Sequence, residues 1–180
     1  MKLLDDQWSQ LFRNFEHTAF RLEVRDVYNV DYEHEDFRRF LAGEPPRSSK
    51  EEDDWYQGIR KATAEGRRYF RVRVVTVPLT DYSRWLVDGA MTFNNPAGED
   101  IRYLDRADAA KLDLPNHDYW LFDSRILVRM HFDDDDRPTE HEIIEDPREI
   151  VQHNYWRDVA WHHCVRVEDF AAAQQDLRRV

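Results

Sequence analysis

The sequence has a single cysteine, Cys164, in 180 residues. An internal disulfide is excluded, and the reducing cytoplasm is the expected setting. No stretch approaches the roughly 20 apolar residues of a membrane span. The opening MKLLDDQWSQLF brings acids early and holds no sustained apolar run, which is not the pattern of a secretory signal. Positive charge is short: 26 Lys and Arg stand against 37 Asp and Glu, for a formal net charge of -11. Direct nucleic-acid binding is not expected, because neutralising phosphates requires a basic surface. A basic protein partner would be attracted. His pairs at helical spacing are missing too. His162 and His163 are adjacent, about 100° apart on a helix, and cannot both face one ion. No metal and no cofactor is expected.

What is present is a core. Aromatics make up 13% of the chain and include six Trp. The length suits one domain over residues 1–180, with a core from about 5 to 170. Leu4, Trp8, Leu11, Phe12 and Phe15 recur at helical spacing and predict a helix over 5–16. Alternation in TAFRLEVRDVY predicts a strand over 19–28. Helices follow over 31–42, with Phe37, Phe40 and Leu41 inward, and over 51–65, ended by Gly66. RRYFRVRVVTV reads as the strongest strand, since it is Val-rich and unbroken until Pro78. A helix capped by Thr80 or Asp81, a loop at NNPAGED, a strand IRYL and a small helix ADAAKL come next.

The stretch Asn116–Pro147 says most. Tyr119–Phe122 and Ile126–Phe132 are strands joined by a tight turn at Asp123-Ser124-Arg125. DDDDRP is an exposed connection and EHEII a third strand. Pro147 opens a helix with Ile150, Val151, Tyr155, Val159 and His162 inward. A last helix covers EDFAAAQQDL. Helices separate the early strands and short turns join the late ones. The expected class is α/β with α+β character: a mixed, partly parallel sheet flanked by helices.

Three groups of residues invite chemistry. Asp133–Asp136 could attract a divalent cation, but neighbouring side chains diverge, and a solvated hairpin loop accounts for the run. His117, Asp118 and Asp123 could form an acid–base group; capping of turns by Asp is the structural alternative. Arg21, Arg25, Arg71 and Arg73, with Arg102 nearby in the pattern, concentrate guanidinium groups in an acidic protein. If the two long strands pair, Arg21, Arg25, Arg71 and Arg73 share a face with Glu23. That face is either a site for an anionic ligand or acidic segment, or an internal ion-pair network. Tyr28, Tyr82, Trp85, Tyr103, Trp120, Tyr155, Trp156 and Trp161 fit core positions, some of them at a pocket.

Two resemblances add to this. EHTAFRLEVRDVY, RRYFRVRVV, GEDIRYL, HDYWLFDSR, MHFDDDDR and EDP followed by WRDVAWHHCV resemble an actinobacterial family of unknown function, from about Leu11 to Phe170. That resemblance implies a regulatory context beside helix-turn-helix transcriptional regulators, with such a regulator as partner, and no established chemistry. The strand and helix order from RVRVV to the EDP helix also resembles one half of the phospholipase D fold. That superfamily carries a nucleophilic His, a phosphate-gripping Lys two residues later, and an Asp five beyond the Lys. With Asp123 as that Asp, the His position holds Asn116 and the Lys position Asp118. His117 is one residue out of register, which turns a strand side chain to the other face.

The expected function is a non-catalytic regulatory or accessory binding module for a helix-turn-helix regulator or an anionic ligand. The alternative is a phosphodiesterase or nuclease-like hydrolase completed by a homodimer. In it His117, Asp118 and Asp123 would take part, and Arg71 and Arg73 would hold phosphate.

Overall fold

The computed structural model describes residues 1–47 and 49–177. The helices are α1 (Asp5–Asn14), α2 (His34–Leu41), α3 (Asp54–Ala64), α4 (Asp81–Gly89), α5 (Asn95–Ala97), α6 (Arg106–Ala109), α7 (Pro147–His163) and α8 (Val167–Leu177). The strands are β1 (Thr18–Glu23), β2 (Arg68–Val75), β3 (Glu99–Asp105), β4 (Tyr119–Phe122), β5 (Ile126–Phe132), β6 (Pro138–Ile144) and β7 (Val165–Arg166). They form one sheet in the order β6-β5-β4-β1-β2-β3-β7. β1, β2 and β3 run parallel, and the other pairings are antiparallel. This is the mixed, partly parallel sheet expected from helices between early strands and turns between late ones. Among the described residues no helix is long and apolar enough to cross a membrane.

The sheet has two different faces. Phe20, Leu22, Phe70, Val72, Tyr119, Leu121 and Leu127 point to one side, where Ile150, Ala160 and Trp161 of α7 cover them. This layer is almost wholly apolar and behaves as an ordinary core. On the other side Ala19, Tyr69, Trp120, Phe122 and Val128 meet Phe12 and Phe15 of the α1 region and Ile59 of α3. A third cluster joins Ile101 and Tyr103 to Val87 and to Val167 and Phe170 of α8; the rings of Tyr103 and Phe170 stack at 4.9 Å.

Local chemistry explains most boundaries. The Thr80 hydroxyl accepts the Ser83 amide at 3.0 Å and starts α4. The Asp146 carboxylate accepts the Arg148 amide at 2.9 Å beside Pro147 and starts α7. Asp123 and Ser124 both adopt positive φ, 51° and 59°, in the three-residue connection Asp123-Ser124-Arg125, where the Arg125 amide donates to the Phe122 carbonyl at 3.0 Å. The acidic run is also a turn: Asp133 Oδ1 accepts the amides of Asp135 and Arg137, each at 2.9 Å.

Four expectations are corrected. β1 stops at Glu23 instead of continuing to residue 28, because the Val24 amide is taken by the Asp118 carboxylate at 2.9 Å and not by a neighbouring strand. NNPAGED is not a loop throughout: α4 runs on through a wider turn over Ala90–Asn94 into α5, and Gly98, at φ 114°, ends it. A Cβ on Gly98 would collide with the Thr63 side chain, so only glycine fits there. Leu41 is exposed and not inward. On α7 the inward stripe is Ile150, His153, Ala160 and Trp161, whereas Val151, Tyr155 and His162 are exposed. A polar histidine occupies a core position of that helix, so a count of apolar residues rotates its inward face.

Asp123 also fixes the hairpin to the start of β1. Its carboxylate accepts the amides of Glu16, His17 and Thr18 at 2.8, 2.7 and 2.9 Å. Burial opposes ionisation, but these backbone bonds outweigh it and hold the carboxyl below its ordinary range. Replacing Asp123 with Ala should cost about 1–3 kcal/mol in urea unfolding, since three amides lose their acceptor. A loss within error of zero would show that water replaces the carboxylate there.

Candidate functional site

The site begins with a register. Parallel pairing sets Arg21 beside Arg71 and Glu23 beside Arg73. Antiparallel pairing sets Arg21 opposite Trp120, and β3 places Glu99 next to Tyr69 on the same side. Alternation sends all of these to the face opposite α7. Like charges side by side on buried strands would repel unless carboxylates stand between them. Glu23 does so. Arg71 Nη1 donates to Glu23 Oε1 at 2.7 Å, and Arg73 Nε donates to Glu23 Oε2. Arg71 also donates twice to Glu99 Oε1, at 2.9 and 2.6 Å. Glu99 Oε2 accepts the Asn94 amide at 2.8 Å. Arg73 Nη1 donates to the Leu86 carbonyl and the Tyr103 hydroxyl, each at 3.1 Å.

Arg71, Arg73, Glu23 and Glu99 are all buried. Burial alone would favour neutral Glu23; the three neighbouring guanidinium groups overcome it and hold its carboxyl well below the usual range. Arg73 titrates still higher than normal for the matching reason: Glu23 outweighs desolvation. Arg71 and Arg73 thus both hydrogen-bond to carboxylates inside the fold.

Arg21 differs. Its Nε lies 3.1 Å from Glu23 Oε1 and its Nη2 lies 3.6 Å from Asp118 Oδ2. These are ion pairs without hydrogen-bond alignment, and Nε is buried with no acceptor among the described residues. The guanidinium sits 5.6 Å from the ring centres of both Trp120 and Tyr28. The Trp120 indole N–H is likewise buried without an acceptor. Asp118 accepts the Tyr28 hydroxyl at 2.6 Å, and its burial pushes its carboxyl upward despite Arg21.

Above this floor opens a cleft of about 1260 Å³. Trp8 and Phe12 of α1 and Trp55 of α3 line it from one part of the fold, and Tyr82 and Trp85 of α4 from another. Trp8 stacks on His141 of β6 at 4.1 Å. Glu33 lines it too; the Tyr82 hydroxyl donates to its carboxylate, and burial pushes that carboxyl upward. Aromatic walls over a few fixed polar groups are the usual make-up of a small-ligand pocket.

The structure therefore brings together Arg21, Arg71 and Arg73 from the arginine set. Arg25 lies past the end of β1, paired with Asp136 of the acidic turn and set 4.9 Å from the Phe132 ring centre. Arg102 is on the opposite face, bonded to Asp100 at 3.0 and 2.9 Å and lying 3.9 Å from the Trp161 ring centre. Neither belongs to the cleft.

His117, Asp118 and Asp123 go to three places. Asp123 holds the hairpin turn. Asp118 is behind Tyr28 and Arg21. His117 packs under α7, its Nε2 2.9 Å from His153 Nε2. His153 Nδ1 donates to the Glu149 carbonyl at 2.7 Å, so its Nε2 accepts and His117 donates. Glu99 and His153 were missed from sequence. The alternation Glu99, Ile101, Tyr103 would have found the first, and the spacing 150, 153, 160 the second.

A family model described as a domain of unknown function, DUF6879, matches residues 6–172. No curated protein matches the sequence.

Two outcomes follow from this geometry. Glu23→Gln should cost about 3–5 kcal/mol in urea unfolding, because Arg71 and Arg73 stay buried without their shared carboxylate. Arg21→Gln should cost clearly less, and equal losses would contradict the ranking of these arginines. The second concerns acid. Burial, with Arg129 nearby, lowers His117 from an ordinary 6.5 to about 4, and burial lowers His153 as well. The folded state thus favours neutral rings while the unfolded chain protonates near 6.5. Stability should be complete above about pH 6.5 and fall as the pH drops toward 4. His117→Gln should flatten that slope in thermal melts taken across this range; an unchanged slope would remove the pair as its source.

Proposed function

The chain belongs to the DUF6879 family, and on that footing we propose that it is a non-catalytic binding module whose cleft receives an anionic group at Arg21. The observation that carries this is the contrast on the cleft floor. Arg71 and Arg73 have their hydrogen bonds; Arg21 and Trp120, which line the same cleft, hold buried donors with none. A carboxylate or phosphate oxygen would satisfy a guanidinium and an indole N–H together. A hydrolytic reading would need His117, Asp118 and Asp123 on one substrate, and their separate environments favour binding over it. The module would act as a regulatory or accessory protein in the cytoplasm, with the helix-turn-helix regulator implied by the sequence resemblance as its protein partner.

The test is a fluorescence titration, since Trp8, Trp55, Trp85 and Trp120 all line the cleft. Benzoate and inorganic phosphate are the probes. At least one should change the emission saturably, and Arg21→Gln should weaken that response at least tenfold, about 1.4 kcal/mol. No saturable change with either anion, or one indifferent to Arg21, would overturn the reading.

A further inference from the structure

The cleft is polarised. Arg21 and Trp120, directly opposed in the β1–β4 register, line its floor, and each holds a buried nitrogen without a hydrogen-bond acceptor among the described residues, Arg21 Nε and Trp120 Nε1. Its lining as a whole is acidic, with ten Asp and Glu against six Lys and Arg. Glu52, Asp54 and Asp88 are exposed lining residues with no cationic partner among the described residues. Trp8, Trp55 and Trp85 add aromatic surface to the same lining. The volume, about 1260 Å³, exceeds the roughly 300–1000 Å³ of most small-molecule sites.

A ligand matching all of this has one anionic group at its buried end, an apolar body, and positive charge several residues away. These exposed acids would oppose a doubly charged phosphate, whereas one carboxylate adds a single charge beside Arg21. We propose that the cleft binds the free C-terminus of a basic peptide segment. The terminal carboxylate meets Arg21 and the Trp120 indole. The last side chains lie between Trp8, Trp55 and Trp85. Lys or Arg residues upstream meet Glu52, Asp54 and Asp88. This rests on the binding reading above and names the chemistry of its ligand. Capture of a terminal carboxylate by fixed donors is a recurring mode of peptide recognition.

The experiment uses the full chain, immobilised, and two pools of hexapeptides with Lys at the first three positions and random residues at the last three. One pool ends in a free carboxylate and the other in an amide. Mass spectrometry identifies what is retained, and fluorescence anisotropy of an enriched peptide measures affinity. Enrichment from the free-acid pool is expected, with the matched amide at least tenfold weaker. Arg21→Gln and Arg21→Lys should both weaken binding at least tenfold, and Asp54→Asn with Asp88→Asn severalfold, with circular dichroism confirming that each variant is folded. No enrichment from the free-acid pool, or equal retention of amides, overturns the proposal. If benzoate still binds in an Arg21-dependent way, only the peptide assignment falls. If neither anion nor peptide binds, the binding reading falls with it.

Discussion

The fold depends on one carboxylate. Glu23 lies at the centre of the sheet, on the strand that joins its parallel and antiparallel parts, and it stands among three guanidinium groups. Taking such charges out of water costs several kcal/mol each, and attraction repays this only when hydrogen bonds meet most of the donors. Glu23 and Glu99 do that for Arg71 and Arg73. A one-residue slip of β1 against β2 would turn Glu23 to the apolar face under α7 and leave the arginines uncompensated. The network adds little net stability over an apolar core of the same volume. Its effect is to admit a single register.

That register also divides the work of the sheet. The face under α7 is mainly apolar, with His117, His153 and Arg102 as polar members, and carries stability. The opposite face is apolar toward α1 and charged toward the cleft, so rigid strands, and not loops, hold the candidate binding groups. Binding groups placed on strands keep their geometry more closely than groups placed on loops. Glu33 and Asp118 are both pushed toward the neutral acid by burial and both accept a tyrosine hydroxyl.

Much of the architecture was legible in the sequence. Tyr119–Phe122 and Ile126–Phe132 stand where alternation and turn chemistry put them, because a hairpin encodes its own register. The shared face of Arg21, Arg71 and Arg73 was legible for the same reason: alternation within each strand is local. What was not legible depends on partners far along the chain. β1 ends early because Asp118, about a hundred residues away, takes its next amide. Arg102 was grouped with the others because sequence gives the alternation of β3 but not its phase against β2; register makes Ile101, and not Arg102, the neighbour of Arg71. His117 and His153 are met only when α7 folds over the hairpin.

The place of β1 has a consequence for how the chain is made. Its parallel partner β2 follows some fifty residues later, but its other neighbour, β4, begins at Tyr119. During synthesis this central strand emerges before both of its neighbours, and one of its sides stays open until Tyr119–Phe122 has appeared. That open side presents Ala19, Phe20 and Leu22 on an unpaired backbone, the kind of edge that recruits other chains. The charged residues interleaved there, Arg21 and Glu23, give the nascent strand a solubility that an apolar strand would lack. The same two residues that set the register of the finished sheet would then guard the unfinished one.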